Sequence, residues 1–245
     1  MRNLLFILAI VFLLLWIQSC KTRTRAEQIV DMAIETHGGE QYEQAALSFN
    51  FRDRHYTYTR NGGTYTYTRE FSDSTGQVKD ELNNEGFSRT VNGETADVSE
   101  ERKTAYSNSV NSVIYFAMLP FGLNDAAVQK EYLGETEIAG SNYHLVKVTF
   151  SEEGGGQDFE DEFLYWFNTE SNTMDYLAYS YHTEGGGLRF RKAVNPRRVG
   201  GILFQDYINY KPKNEKVALE TLAELYKQDS LEVLSVIELE NIQTR

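Results

Sequence analysis

The sequence is poor in the residues that staple, break or steer a fold. A single cysteine, Cys20, in 245 residues rules out a disulfide within the chain. Three prolines leave long stretches free to run as strands, because a proline removes a ladder hydrogen bond wherever it falls in a sheet. Cations are scarce: 24 Lys and Arg face 36 Asp and Glu, and a net charge of -12 repels phosphate backbones, so nucleic acid is not expected as a partner. No apolar run reaches the ~20 residues a helix needs to span a bilayer; Leu4 to Ile17 falls short. Signatures of chemistry are missing too. His37, His55, His144 and His182 show no HxH or HExxH spacing, no Ser sits in a GxSxG elbow, and no Lys-Ser/Thr follows Gly185-Gly186-Gly187 to cradle a phosphate. The acidic residues Glu152, Glu153, Asp158, Glu160, Asp161 and Glu162 lack the spacing of a calcium loop. No metal and no cofactor is expected.

What is present begins with an address. Arg2, the apolar run Leu4 to Ile17 and the small Ser19 have the layout of a signal peptide. Ile17-Gln18-Ser19-Cys20 resembles a bacterial lipobox, which implies cleavage after residue 19 and acylation of Cys20. Two or more acyl chains hold a protein on a membrane where one does not, each buried methylene contributing about 0.8 kcal/mol. Residues 20–25 then form a short basic tether, Lys21 to Arg25, suited to a solvated linker or to anionic headgroups. The tether lacks the acidic residues that some Bacteroidota lipoproteins carry there as a surface-export signal, which favours a periplasm-facing position in the cell envelope.

Residues 26–245 read as one body. Thr24 and Glu27 have capping-box spacing, and the helix they open carries Ile29, Val30, Ala33 and Ile34 before stopping at His37-Gly38-Gly39. From Leu47 to Val91 apolar and polar residues alternate between turns, as in antiparallel strands. A two-residue turn at Asn61-Gly62 would set Tyr58 opposite Tyr65, with tyrosines on one face of the hairpin and threonines on the other. Strand patterns resume at 143–150, 163–167, 174–182, 188–192 and 201–210, and a helix over 217–227 precedes a last strand over 231–239. With no βαβ alternation, the class is α+β. The expected architecture is one large, strongly curved antiparallel sheet, an incomplete barrel of about ten or eleven strands, with helices packed in or across its concave face.

The helix expected from Glu100 to Leu119, between Ser99 and Pro120, carries the unusual signal. Tyr106, Val110, Val113, Ile114 and Ala117 form a stripe, yet Tyr115, Phe116, Met118 and Leu119 make its last turns apolar all round. Such an end must be covered on every side, by protein, by membrane or by a bound apolar molecule. Arg189 and Arg191 alternate with Leu188 and Phe190, so one strand face is basic and the other apolar. In an acidic chain that face suits a cavity mouth that pairs a carboxylate or phosphate, or it pairs internally with Asp175, Glu184 or Asp206.

The stretches Tyr165-Trp166-Phe167-Asn168, Met174 to Tyr181, Arg189 to Arg197 and Phe204 to Tyr210 resemble a family of uncharacterised Bacteroidota lipoproteins. More remotely, the layout is similar to the LolA/LolB-like lipoprotein carrier fold, an incomplete barrel whose apolar cavity accepts acyl chains. The resemblance implies a non-enzymatic, lipid-anchored protein that binds an acyl chain or lipid. Candidate cavity residues are Tyr115, Phe116, Met118, Phe121, Trp166, Tyr179, Tyr181, Arg189, Arg191, Asn195 and Arg197. Two other readings stand beside it: an interaction module within an envelope protein complex, and a hydrolase whose residues meet only in space.

Overall fold

The computed structural model describes residues 22–153, 159–182 and 185–244. The signal segment, Cys20, Lys21, Gly154 to Gly156, Asp158 and Glu184 lie outside the described residues.

Helix α1 (Arg25–His37) begins where its capping box requires. The Thr24 hydroxyl accepts from the Glu27 amide at 3.2 Å, and the Thr24 amide donates to Glu27 Oε2 at 2.6 Å, so two orphan donors are satisfied reciprocally. Ala26, Ile29, Val30 and Ala33 recur on one face and are buried. A short 3-10 helix (Gly39–Gln44) leads into six strands: β1 (Ala46–Phe51), β2 (Arg54–Asn61), β3 (Thr64–Asp73), β4 (Gly76–Asn83), β5 (Gly86–Val91) and β6 (Glu94–Thr95). Helix α2 (Glu100–Ala117) follows, then β7 (Val128–Ile138), β8 (Ser141–Phe150), β9 (Glu162–Asn168), β10 (Met174–Tyr181), β11 (Gly187–Val199) and β12 (Ile202–Pro212). Helix α3 (Leu222–Lys227), β13 (Leu231–Ile237) and β14 (Glu240–Thr244) complete the fold.

The strands form two antiparallel seven-stranded sheets, ordered β14-β1-β2-β3-β4-β5-β6 and β13-β12-β11-β10-β9-β8-β7, and they do not close into a barrel. The expected last strand over 231–239 is β13, and β14, beyond that range, is a further strand. The chain leaves the second sheet after Ile237 and enters the first at Glu240. Asp206 fixes the corner by accepting from the Leu239 amide at 3.0 Å and from Arg197 Nη2 at 2.8 Å, while Arg197 also donates to the Leu239 carbonyl.

The tyrosine hairpin differs from expectation by its turn. Its two linking residues are Gly62 and Gly63, with Gly62 at φ +57°, so Tyr58 faces Tyr67 and Thr57 faces Thr68. Glycine takes positive φ without steric cost, which draws the turn one residue past Asn61. Every cross-strand partner moves by two residues, so each side chain keeps its face. Tyr56, Tyr58 and Tyr67 are buried on one face, and Thr57 bonds Thr68 at 2.7 Å on the other.

Helix α2 covers the inner face of the first sheet. Val110, Ile114 and Met118, four residues apart, are buried with Tyr58, Tyr67 and Leu82. The inner face of the second sheet packs Val146, Tyr165, Phe167 and Leu177 against α1. On its outer face Trp166, Tyr176 and Phe190 pack with Leu219, Leu222 and Ala223. Burying each large apolar side chain contributes ~1.5–3 kcal/mol, so these three clusters hold the helices to the sheets. Strand β7, which the sequence reading did not mark, alternates exposed and half-buried positions at the outer edge of the second sheet.

Candidate functional site

The tip of α2 is where the two sheets face one another. Met118 and Leu119 are buried, Met118 toward the first sheet and Leu119 toward the second. Tyr115 and Phe116 turn to the second sheet and remain half-buried, because they stand at a cavity of ≈ 510 Å³. That volume falls in the range of pockets that take one small organic ligand. Aromatic rings from three elements meet at its wall: Phe116 lies 5.5 Å from Tyr179 and 6.3 Å from Phe163, and Phe163 lies 5.3 Å from Tyr179.

Strand register brings the wall residues together. Phe163 pairs with Tyr179 and Tyr179 with Arg189; one row further on, Tyr165 pairs with Leu177, Leu177 with Arg191 and Arg191 with Asn209. Cross-strand partners project from the same face. Both guanidiniums therefore stand on the inner face, as the alternation of β11 predicts. Arg189 donates to Tyr181 Oη at 2.5 Å and to the Leu188 carbonyl at 2.8 Å. Arg191 is only 8% exposed. It donates to Tyr179 Oη at 2.7 Å and lies 4.2 Å above the Phe116 ring. Among the described residues, neither arginine forms an ion pair with a carboxylate.

Three phenols near the cavity are held neutral. Burial pushes the Tyr115, Tyr165 and Tyr207 hydroxyls well above the usual range. Arg191 pulls Tyr165 and Tyr207 the other way, and burial outweighs it. The cavity does include one buried carboxylate, Asp161, which accepts from the His182 amide at 3.2 Å and stands 3.3 Å from His182 Nδ1.

The sequence-nominated residues divide. Tyr115, Phe116, Tyr179, Tyr181, Arg189 and Arg191 line the cavity. Met118 and Phe121 lie in the core of the first sheet, Phe121 stacked on Tyr42 at 4.8 Å. Trp166 is on the outer face under α3, as its alternation with Tyr165 and Phe167 requires. Asn195 lies in a bulge of β11 and Arg197 just after it, and both belong to the corner, Asn195 donating to Asp206 at 3.3 Å. The internal pairing with Asp206 thus holds for Arg197 and not for Arg189 or Arg191. Phe51, Phe150, Phe163, Tyr207 and Asn209 also line the wall without having been nominated. The alternation of β9 and β12 marks the face of Phe163, Tyr207 and Asn209, but only tertiary packing turns that face toward the helix tip and brings Phe51 of β1 and Phe150 of β8 to it.

Comparison with known proteins sets the fold in context. A LolA superfamily protein from Nitrosomonas europaea superposes with a TM-score of 0.51 at 11% identity, over 91% of this chain and 94% of that one, which is a likeness of fold alone. A DUF1329 family protein from Desulfovibrio piger gives a TM-score of 0.47 at 12% identity, over 91% and 94% of the two chains. No protein of curated function matches the sequence. A family profile matches residues 4–239, and on that ground the chain belongs to DUF6503, a family of unknown function.

Proposed function

We propose that this protein is a lipid-anchored component of the bacterial cell envelope that binds or carries an apolar or amphipathic ligand, an acyl chain or a lipid, between α2 and the second sheet. One observation carries the reading: a cavity of ≈ 510 Å³ walled by aromatic rings from α2, β8, β9, β10 and β12. A core packed to ordinary density leaves few voids larger than a water molecule, so a space of this size needs a reason. The LolA-like fold supports the same reading, since its two sheets do not close and leave α2 between them at the cavity. In this proposal residues 1–19 are a signal peptide, Cys20 carries the acyl chains, residues 20–25 are the tether, and residues 26–245 are the binding domain facing the periplasm. The reading is non-enzymatic: the polar groups on the wall hold and orient a ligand.

A chain beginning at Lys21 is expected to take up a fluorescent fatty acid at one probe per molecule. Ala117→Trp, which puts an indole into the cavity, should weaken uptake at least about tenfold while leaving the far-ultraviolet circular dichroism unchanged. No probe uptake by the unaltered chain would contradict the reading. For the anchor, Cys20→Ser in cells should abolish labelling by a palmitate analogue and move the protein out of the membrane fraction.

A second reading has its own observation. On β13, which ends the second sheet, Val233 is 62% exposed, with Leu234 and Val236 also outside the core. An exposed apolar edge strand suits a protein partner in the envelope. Crosslinking from position 233 that captured one stoichiometric partner, together with no probe uptake, would favour this reading over the first.

A further inference from the structure

Two residues in the wall of the cavity each carry a buried polar atom that has no hydrogen-bond partner among the described residues. Among the described residues, Arg191 Nε and Asn209 Oδ1 have no hydrogen-bond partner, and both residues are buried and face each other across β11 and β12. Both residues line the cavity. An unmade hydrogen bond in the interior is costly, and more so for a charged group. Such a pair is therefore not expected in a face that only stacks rings. The arrangement around it is built: Tyr179 takes one guanidinium nitrogen at 2.7 Å, and Ser235 Oγ takes the Asn209 amide nitrogen at 3.2 Å. These contacts fix both side chains and leave Nε as an unused donor and Oδ1 as an unused acceptor. The Phe116 and Tyr179 rings, 4.2 and 5.0 Å from the guanidinium carbon, favour a cation there but give Nε no acceptor.

From this we infer that the cavity's ligand is a single-chain amphiphile with an anionic head, a carboxylate or a phosphate monoester, whose head is held by Arg191 beside Asn209. The inference rests on the cavity being a ligand site and adds the class of ligand. Arg191 supplies the charge and the donor for an anionic oxygen. Asn209 Oδ1 accepts from a donor on the head or from a water bound to it. Arg189, one row away, adds a second positive charge, and the carboxylate nearest in the wall, Asp161, is already engaged by His182. The tail lies among the rings of Phe116, Phe150 and Phe163. A neutral or cationic head gains nothing from Arg191 and leaves its charge buried, which sets the selectivity.

The test is displacement of a neutral fluorescent apolar probe, at constant salt, by dodecanoic acid, dodecyl phosphate, dodecanol and dodecylamine, each below its micelle concentration. The acid or the phosphate should compete at least about tenfold better than dodecanol, and dodecylamine should compete worst. The order of acid and phosphate tells which anion the site prefers. Arg191→Met should remove the advantage of the anionic heads while leaving dodecanol within about twofold of its original affinity. Arg189→Gln serves as a second variant and should reduce the advantage in part. Equal competition by acid and alcohol in the unaltered protein overturns the head-group inference and leaves the cavity reading standing. Failure of all four amphiphiles, and of the probe itself, overturns both.

Discussion

Two buried arginines on the two sheets have opposite surroundings. Arg69, on the first sheet and 2% exposed, donates to Asp80 from Nε at 2.9 Å and from Nη2 at 2.5 Å, and to Ser109 of α2 at 2.7 Å. Arg89 grips the same carboxylate from the other side at 2.6 Å and lies 3.7 Å over Tyr106. Arg191, on the second sheet, has a tyrosine hydroxyl, two rings and, among the described residues, no carboxylate. The first arrangement is closed: a charge taken out of water has its counter-charge and its hydrogen bonds, and the network ties α2 to the sheet beneath it. The second is left open at the place where α2 stops covering the interior. A buried ionic group needs a partner; among the described residues Arg191 is given none, and the proposed ligand site rests on that contrast.

The largest expected effect tests the closed arrangement. Asp80→Asn leaves two guanidiniums around a neutral amide and should cost ~3–5 kcal/mol in urea unfolding, the range found when one partner of a buried pair is removed. A loss below 1 kcal/mol would mean that the network is solvated and that the contrast with Arg191 is false. Next in size is a third buried base, His37, which the protein keeps neutral. Burial, assisted by Arg198, lowers its pKa from 6.5 to about 4, and its Nε2 accepts from the Met174 amide at 3.1 Å. The unfolded imidazole takes its proton near 6.5 and the folded one only near 4, so unfolding takes up a proton between those values. Stability is complete above pH 6.5 and falls as the pH drops, by about 3 kcal/mol at pH 4. Urea midpoints at pH 7 and pH 4 should fall further for the native chain than for His37→Gln, which cannot take up that proton. Equal falls would show that His37 titrates alike in both states. The smallest effect is on the open side. Arg191→Met should change unfolding free energy by less than about 1 kcal/mol, or raise it, because it removes a buried charge that has no counter-charge. A loss of 3 kcal/mol or more would make Arg191 a structural residue like Arg69.

Much of this was readable from local pattern. Thr24 and Glu27 announced the first helix, because a capping box is a contact between residues three apart. The alternation of β11 put Arg189 and Arg191 on one face, and the ungoverned apolar end of α2 marked where the helix needed company. Alternation also separates Trp166 from Tyr165 and puts it on the outer face, away from the cavity. The closed network was not readable: Arg69, Asp80 and Arg89 are neighbours only because β3, β4 and β5 pair in the register Arg69 to Asp80 to Arg89. The hairpin shows the limit of pattern more finely. Its faces were correct and its register was not, since a slip of two residues leaves every face unchanged.

By itself the sequence determined most of the elements, the faces of their strands and the class of the fold, since each depends on periodicity, caps and turn residues within a few positions. It also determined that the tip of α2 and the basic stretch of β11 were out of the ordinary. Only the tertiary structure decided which arginines acquire a carboxylate, that the sheet divides at Leu239, and that Asn209 stands beside Arg191. Those outcomes depend on pairing between segments far apart in the chain, where contact is set by packing and not by spacing.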